Sequence, residues 1–272
     1  MDESMKPESV GAAGAKTDLL VRGGRGRNGG STGCDVFVQR ARYSGRRVKP
    51  LDGDLRTRTL SVLYPSVDEH GQPIEDGASA PKSDELPHIK EWFSDELDLM
   101  VRTRVSRVLD LSGGDRVLQE YVRDLELEQY CKDHDVGLTV AVFLGPDMDD
   151  FRHATQLLGS GGFKCDRTLL VLNEGVVGAG QTTAGVFEAI ASQPEFERLT
   201  REGARTVFMR RLACMARVRE RGLRFYDLFD WSPSSPGSLG ANVSPTLQHM
   251  TKTWLVNFEQ EIQKSGVADW LP

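Results

Sequence analysis

No apolar run in this chain approaches the ~20 residues that a helix needs to cross a bilayer. The amino-terminal segment has no apolar core of the kind that opens a secretory leader, so none is expected. The four cysteines, Cys34, Cys131, Cys165 and Cys214, are scattered without a C-x-x-C pair. That spacing argues against a disulfide framework or a zinc ribbon and reads as reduced thiols in a cytoplasmic protein. The five histidines share no ligand spacing and read as structural or exposed. There is no basic excess either: the formal charge of the 272 residues is −6, so any affinity for nucleic acid must come from a local patch. No internal repeat is present. The length suits one large α/β domain better than two small ones.

The most informative absence is one lysine. Leu19, Leu20 and Val21 form a short apolar run that breaks into Gly23-Gly24-Arg25-Gly26-Arg27-Asn28-Gly29-Gly30-Ser31-Thr32. A helix with Val36, Phe37 and Ala41 on its buried side is expected next. Strand, glycine-rich turn and helix together make a phosphate cradle, because glycines let backbone N–H groups converge and the helix N-terminus adds partial positive charge. Gly24, Gly29 and Ser31 fit the phosphate-loop spacing G-x-x-x-x-G-K-S/T, except that Gly30 stands where the lysine belongs. The rival reading of so many glycines is a merely flexible loop.

Residues 1–17 are small, polar and charged and read as disordered. The expected domain spans 18–245, with a carboxyl-terminal helix and tail over 246–272. Arg46 to Asp54 reads as a second strand ending in Asp52 and Asp54, with Pro50 a poor strand residue. Leu55 to Tyr64 reads as a short helix. Residues 65–87, with four prolines among Ser, Asp, Glu and Gly, read as a long surface loop. A helix follows from His88 to Met100. Val105–Leu109 reads as a strand, and a helix from Arg116 to Cys131 follows with Asp115 as its cap. Gly137–Leu144 is the clearest buried strand, followed by a helix to about Leu158. Further strands are expected at Thr168–Leu172 and Thr206–Met209, the latter leading into an arginine-rich helix to Arg221. Leu247, Met250, Trp254, Phe258 and Ile262 mark one face of a helix over Thr246–Lys264. This alternation predicts an α/β fold, a mostly parallel sheet flanked by helices on both faces, with ligands at the carboxyl ends of its strands. The polar clusters at Gly24–Thr32, Asp52/Asp54, Asp110 and Asn173 each follow a strand and should meet on that edge.

In this order the motifs resemble the deviant-Walker P-loop ATPases of the ParA/MinD type, a class of partition and septum-positioning proteins. Arg25 falls where that family has a second lysine early in the loop. Asp52-Gly53-Asp54 resembles its switch I motif, and Val108-Leu109-Asp110 with Gly113-Gly114 its Walker B strand and switch II. Val171-Leu172-Asn173 resembles the strand whose asparagine contacts adenine, and Arg210 to Asp227 the segment that closes over the base. The resemblance spans about residues 18–230. It implies ATP and Mg²⁺ as cofactors: the loop from Gly24 through Arg25, Gly26, Arg27, Asn28, Gly29, Gly30, Ser31 and Thr32 would hold phosphates, with Ser31 on the metal and Asp110 reaching it through water. Asp52 or Asp54 would orient the attacking water or a magnesium-bound water. A nucleotide-sandwich homodimer is implied, with Arg25 of one subunit reaching the phosphates of the other.

Gly30 opposes that reading, because a missing phosphate-site cation costs on the order of 10²–10³ in rate. Slow hydrolysis, binding without turnover and loss of binding all stay open, so the alternative to a switch ATPase in plasmid partition, conjugal transfer or intracellular positioning is a pseudo-ATPase adaptor acting through a protein partner. Asp52 and Asp54 also read as plain turn formers. The eight arginines of 201–224, against Glu202 and Glu220, read either as a nonspecific DNA-binding patch or as a solvated face with intramolecular acidic partners. The stripe from Leu247 to Ile262 reads as packing against the core or a partner. Glu259 and Glu261 argue against a membrane surface.

Overall fold

The computed structural model describes residues 16–111, 120–121, 123–159, 165–178, 180–232 and 243–272. Of the segment 1–17 expected to be disordered, residues 1–15 lie outside the described residues, as do the Asp115 cap and the Gly113-Gly114 pair, whereas Thr17 is buried as the first residue of a strand. Six strands form one sheet: β1 (Thr17–Gly23), β2 (Val48–Asp52), β3 (Ser106–Asp110), β4 (Val136–Leu144), β5 (Thr168–Asn173) and β6 (Arg205–Met209), in the order β2-β3-β1-β4-β5-β6. Every pairing is parallel. After β1 the chain runs to the edge strand β2, returns to β3 beside β1, then crosses to the other side at β4 and builds outward through β5 and β6. The loop after β1 therefore lies at the point where the winding reverses, which is where open parallel sheets leave a crevice at their carboxyl edge.

Helices cover both faces, so the strands read as continuous apolar runs rather than alternating ones. On one face Leu20, Val108, Ala141, Phe143, Val171 and Val207 pack against α1 (Gly30–Tyr43) and the later helices. On the other, Leu19, Val21, Leu109, Val140, Val142 and Leu170 pack against α3 (Leu86–Thr103), α4 (Leu127–Asp133), α5 (Met148–Gly159), α6 (Thr183–Ala191) and α7 (Pro194–Arg201). Residue parity along each strand thus decides which layer a side chain enters. Arg22 shares the parity of Leu20, and Asp110 that of Val108, so both face the α1 layer.

Several elements are shorter or longer than the sequence predicts. The helix expected over Leu55–Tyr64 is α2 (Thr59–Leu63), and α3 begins earlier than His88 because Pro87 fits its first turn. The arginine-rich helix expected to Arg221 is α8 (Met215–Glu220), shorter at its start, and a further helix, α9 (Phe225–Asp230), follows after Gly222 at φ 61°. Pro50 is accommodated because β2 is an edge strand. The loop over 65–87 does not drift away from that edge: Ser79 N donates to Pro50 O and Asp52 N donates to Ser79 O. The last helix, α10 (Pro245–Lys264), is capped by Ser244 and buries Leu247, Trp254, Phe258 and Ile262 in the same core as α1. Its Trp254 indole donates to Arg210 O at 2.6 Å. Among the described residues no helix is long and apolar enough to cross a membrane.

Candidate functional site

The glycine-rich turn joins the carboxyl end of β1 to the amino end of α1. Three of its residues take left-handed backbone: Gly24 at φ 95°, Arg27 at 72° and Gly29 at 77°. Gly29 is the position where glycine is most firmly required. Besides its φ, a Cβ there would come within 2.2 Å of Asn173 Nδ2. Gly29 O accepts from Gly33 N at 3.0 Å, which starts the helix directly behind the loop. Asn28 and Gly30 are buried, whereas Ser31 and Thr32 are half-buried on the first turn. Gly26 has open space around it.

Asn173, at the end of β5, tethers this loop. Its Nδ2 donates to Asn28 O at 2.8 Å and its Oδ1 accepts from Gly175 N at 2.8 Å. The residue expected to read a base therefore spends both ends of its amide on the protein in this state. Arg25, expected to reach across a dimer, is half-exposed and lies 3.5 Å from Asp150 at the start of α5.

Asp110 and Asp52 close β3 and β2, directly opposite one another in register. Both side chains are fully buried. Asp110 Oδ1 accepts from Arg22 Nη1 at 2.8 Å, while its Oδ2 has no hydrogen-bond partner. Asp52 accepts from Ser61 N at 2.7 Å and Asp54 N at 3.3 Å, which ties it to the start of α2. Burial pushes the Asp52 carboxyl above the usual range, the Ser61 hydrogen bonds oppose that, and the neighbouring Asp110 charge adds to it. Asp54 accepts from Arg56 N at 3.1 Å, Thr57 N at 3.3 Å and the Thr57 hydroxyl. These are the contacts of turn-forming aspartates, so the turn reading describes them in this state. The convergence expected from topology is present for the loop, Asp110, Asp52 and Asn173. Asp54 is one step removed, and Arg25 points away toward α5.

Two charged residues of this site escape a motif search. Arg22 follows the apolar run, so the sequence suggests that the strand has already ended there, yet its guanidinium is only 3% exposed beneath the loop. The available signal was a cation immediately before a glycine run that lacks its lysine. Asp35 on α1 is fully buried and accepts from Gln39 at 2.8 Å, from the Tyr64 hydroxyl at 2.6 Å and from Arg219 Nη1 at 2.6 Å. This hub binds α1 to α8.

No known protein family and no curated protein matches the chain. Solved structures do. Chloroplast FtsY from Physcomitrella patens is similar at 14% identity and a TM-score of 0.42, over 66% of each chain. The signal recognition particle receptor FtsY from Elizabethkingia anophelis is similar at 17% identity and 0.44, over 69% of this chain and 59% of that one. Apo McdA from Cyanthece is similar at 11% identity and 0.44, over 88% of this chain and 99% of that one. The chain thus spans less than two thirds of the length of the Elizabethkingia receptor.

The arginines of 201–224 are partly committed within the chain. Arg201 pairs with Glu197 at 3.0 Å, and Arg219 with Asp35. Arg224 lies over the Tyr64 ring at 5.1 Å, and Arg211 donates to the Val177 carbonyl. Arg205, Arg210, Arg217 and Arg221 are exposed.

Proposed function

We propose that this protein is a nucleotide-binding switch that seats a nucleoside triphosphate and Mg²⁺ on the turn between β1 and α1. One observation carries the reading. A glycine-rich turn with left-handed Gly24, Arg27 and Gly29 opens onto a helix N-terminus beside a buried aspartate with an unpartnered oxygen. Such a turn presents N–H groups to an anion, and the carboxylate suits a water held by a hard cation. The residues fit Mg²⁺ as an ion held jointly with phosphates. Among the described residues no group of three or more His, Cys, Asp or Glu could hold a metal unaided. Ser31 and Asp110 would hold it, and bound Mg²⁺ would neutralise phosphate charge. The loop from Gly24 to Thr32 would grip the phosphates.

The finer reading is an ATP-dependent homodimer with slow hydrolysis, serving partition, conjugal transfer or intracellular positioning in the cytoplasm. Arg25 would act across the dimer, Asp52 or Asp54 at the water, and Asn173 at the base once released from Asn28. The exposed arginines among 201–224 support a role for DNA as the surface on which the switch acts. A second reading is favoured by the committed state of the site residues: a pseudo-ATPase adaptor of the same fold, signalling through a protein partner without turnover.

Equilibrium binding of ATP, ADP and GTP to the whole chain, with and without Mg²⁺, tests the proposal when combined with mass by light scattering. Magnesium-dependent triphosphate binding that doubles the mass is expected. Absence of binding at about 1 mM nucleotide, a threshold weaker than about −4 kcal/mol, leaves the adaptor.

A further inference from the structure

The position without its lysine is filled from elsewhere. An ideal Cβ on Gly30 would lie 1.9 Å from Arg22 Nε, 2.6 Å from its Cδ and 2.7 Å from its Cζ. All three contacts are shorter than real Cβ atoms tolerate, so any side chain at position 30 displaces the whole head of Arg22 rather than only its tip. That head is anchored at both ends of the site. Nη1 donates to Asp110 Oδ1 at 2.8 Å and Nη2 donates to the Arg25 carbonyl of the loop at 3.1 Å. Both side chains of the ion pair are sealed from water, with 3% and 0% exposure. A positive charge therefore sits under the loop, against the first residue of α1, delivered from the strand instead of from the helix.

Resting on the nucleotide-site reading above, we propose that Arg22 is the phosphate-site cation of this protein and that Gly30 is the cleared space it requires. The buried carboxylate holds this cation while no ligand is present, and an anionic phosphate group on the loop competes with Asp110 for it. A charge fixed in a dry site acts more strongly on a phosphate than a solvated one. Glycine at position 30 is then half of a two-residue exchange. Restoring the familiar motif by Gly30→Lys alone inserts a long side chain into the space of the guanidinium and puts two cations together.

The test compares wild type, Arg22→Gln, Gly30→Lys and the double variant Arg22→Gln/Gly30→Lys as full chains. Affinity is read with a fluorescent ATP analogue displaced by ATP, and stability by thermal melting without nucleotide. Arg22→Gln is expected to weaken ATP binding about 10- to 100-fold, the range for loss of a charged hydrogen bond. Gly30→Lys alone is expected to lower the melting temperature and also to weaken binding. The double variant, which keeps one cation opposite Asp110, is expected to melt above Gly30→Lys and to bind about tenfold or more tighter than Arg22→Gln. If Arg22→Gln does not fold, the comparison of the double variant with Gly30→Lys still decides. A Gly30→Lys protein that melts and binds like wild type or better overturns the inference. So does a folded Arg22→Gln protein with wild-type affinity, while leaving the nucleotide site intact. Wild type that binds no nucleotide overturns both.

Discussion

At the amino end of β1 a buried carboxylate is held by two arginines; at its carboxyl end a buried guanidinium is held by one carboxylate. Asp18 is 1% exposed and pairs with Arg46 at 2.8 Å and Arg167 at 3.1 Å, both about one-fifth exposed. Arg46 also donates to Leu271 O at 2.7 Å, so this end fastens the chain terminus to the sheet. Water reaches the arginines, and each oxygen of Asp18 has a partner. The Arg22–Asp110 pair has neither property. It is sealed, one oxygen of Asp110 is unpartnered, and Asp52 brings a second carboxyl alongside. The first arrangement is complete as it stands and holds the fold. Under the proposed reading the second is completed by bound nucleotide and Mg²⁺, and that difference would separate a binding site from a structural clamp within one strand.

The sharpest break of this comparison is Asp110→Ala. It strands a guanidinium in a dry interior, and removal of one member of a buried pair typically costs about 3–5 kcal/mol. Urea unfolding of the ligand-free protein should show that loss. A loss below about 1 kcal/mol would mean that the pair is hydrated and that the two ends of β1 are alike.

Next in size is a pH effect belonging to the lower end. Burial pushes Asp18 up to about 7 from an ordinary value of 3.8, with Arg46 opposing the shift and Asp269 adding to it. Between those values the folded state holds a proton that the unfolded chain releases, so stability falls as pH rises from about 4 through 7 and levels off above. Asp18→Asn should flatten that part of the profile, by an amount bounded at about 4 kcal/mol across the window. Urea midpoints of both proteins at pH 5 and pH 8 measure it. Parallel profiles would show that the two arginines keep Asp18 ionised throughout.

The fold was largely legible because its signals are local. The apolar runs of β4 and β5 and the stripe of α10 need no tertiary information, and alternation of strand with helix dictates parallel pairing. The glycine pattern likewise marked the loop. Elements without such marks, α6 and α7, were not anticipated. What the sequence hid were side-chain partners supplied by other elements. The hydrogen bond from Ser61 N to the Asp52 carboxylate is one such partner, invisible in the spacing of Asp52 and Asp54. For the eight arginines of 201–224 the sequence left a DNA-binding patch and a solvated face with internal partners both open, and only the structure gives Arg219 to buried Asp35 and Arg224 to Tyr64. Arg22 was hidden for a different reason. Periodicity treats a charge as the end of a buried strand, and only the register of β1 with β3 gives that charge a partner.

The tether from β5 should give an intermediate effect. Asn173→Ala removes the hydrogen bond to Asn28 O and leaves that buried carbonyl with less to accept, a loss of about 1–2 kcal/mol. A loop so loosened should also bind nucleotide more weakly, read by the same displacement assay. Unchanged binding with lowered stability would confine Asn173 to a structural part.

The smallest expected change in stability is at Arg25, and that smallness is informative. Its side chain is 52% exposed and its partner Asp150 stands 3.5 Å away, so Arg25→Ala should change the unfolding free energy by no more than about 0.5 kcal/mol. Arg22 and Arg25 lie three residues apart on the same loop entrance, one sealed and one free to turn outward. If Arg25 acts across a dimer, Arg25→Ala should leave nucleotide affinity of the monomer within about twofold, a difference near 0.4 kcal/mol, while abolishing the nucleotide-dependent increase in mass. Light scattering with and without ATP and Mg²⁺ separates the two arginines. A variant that still doubles its mass would assign Arg25 to the contact with α5 alone.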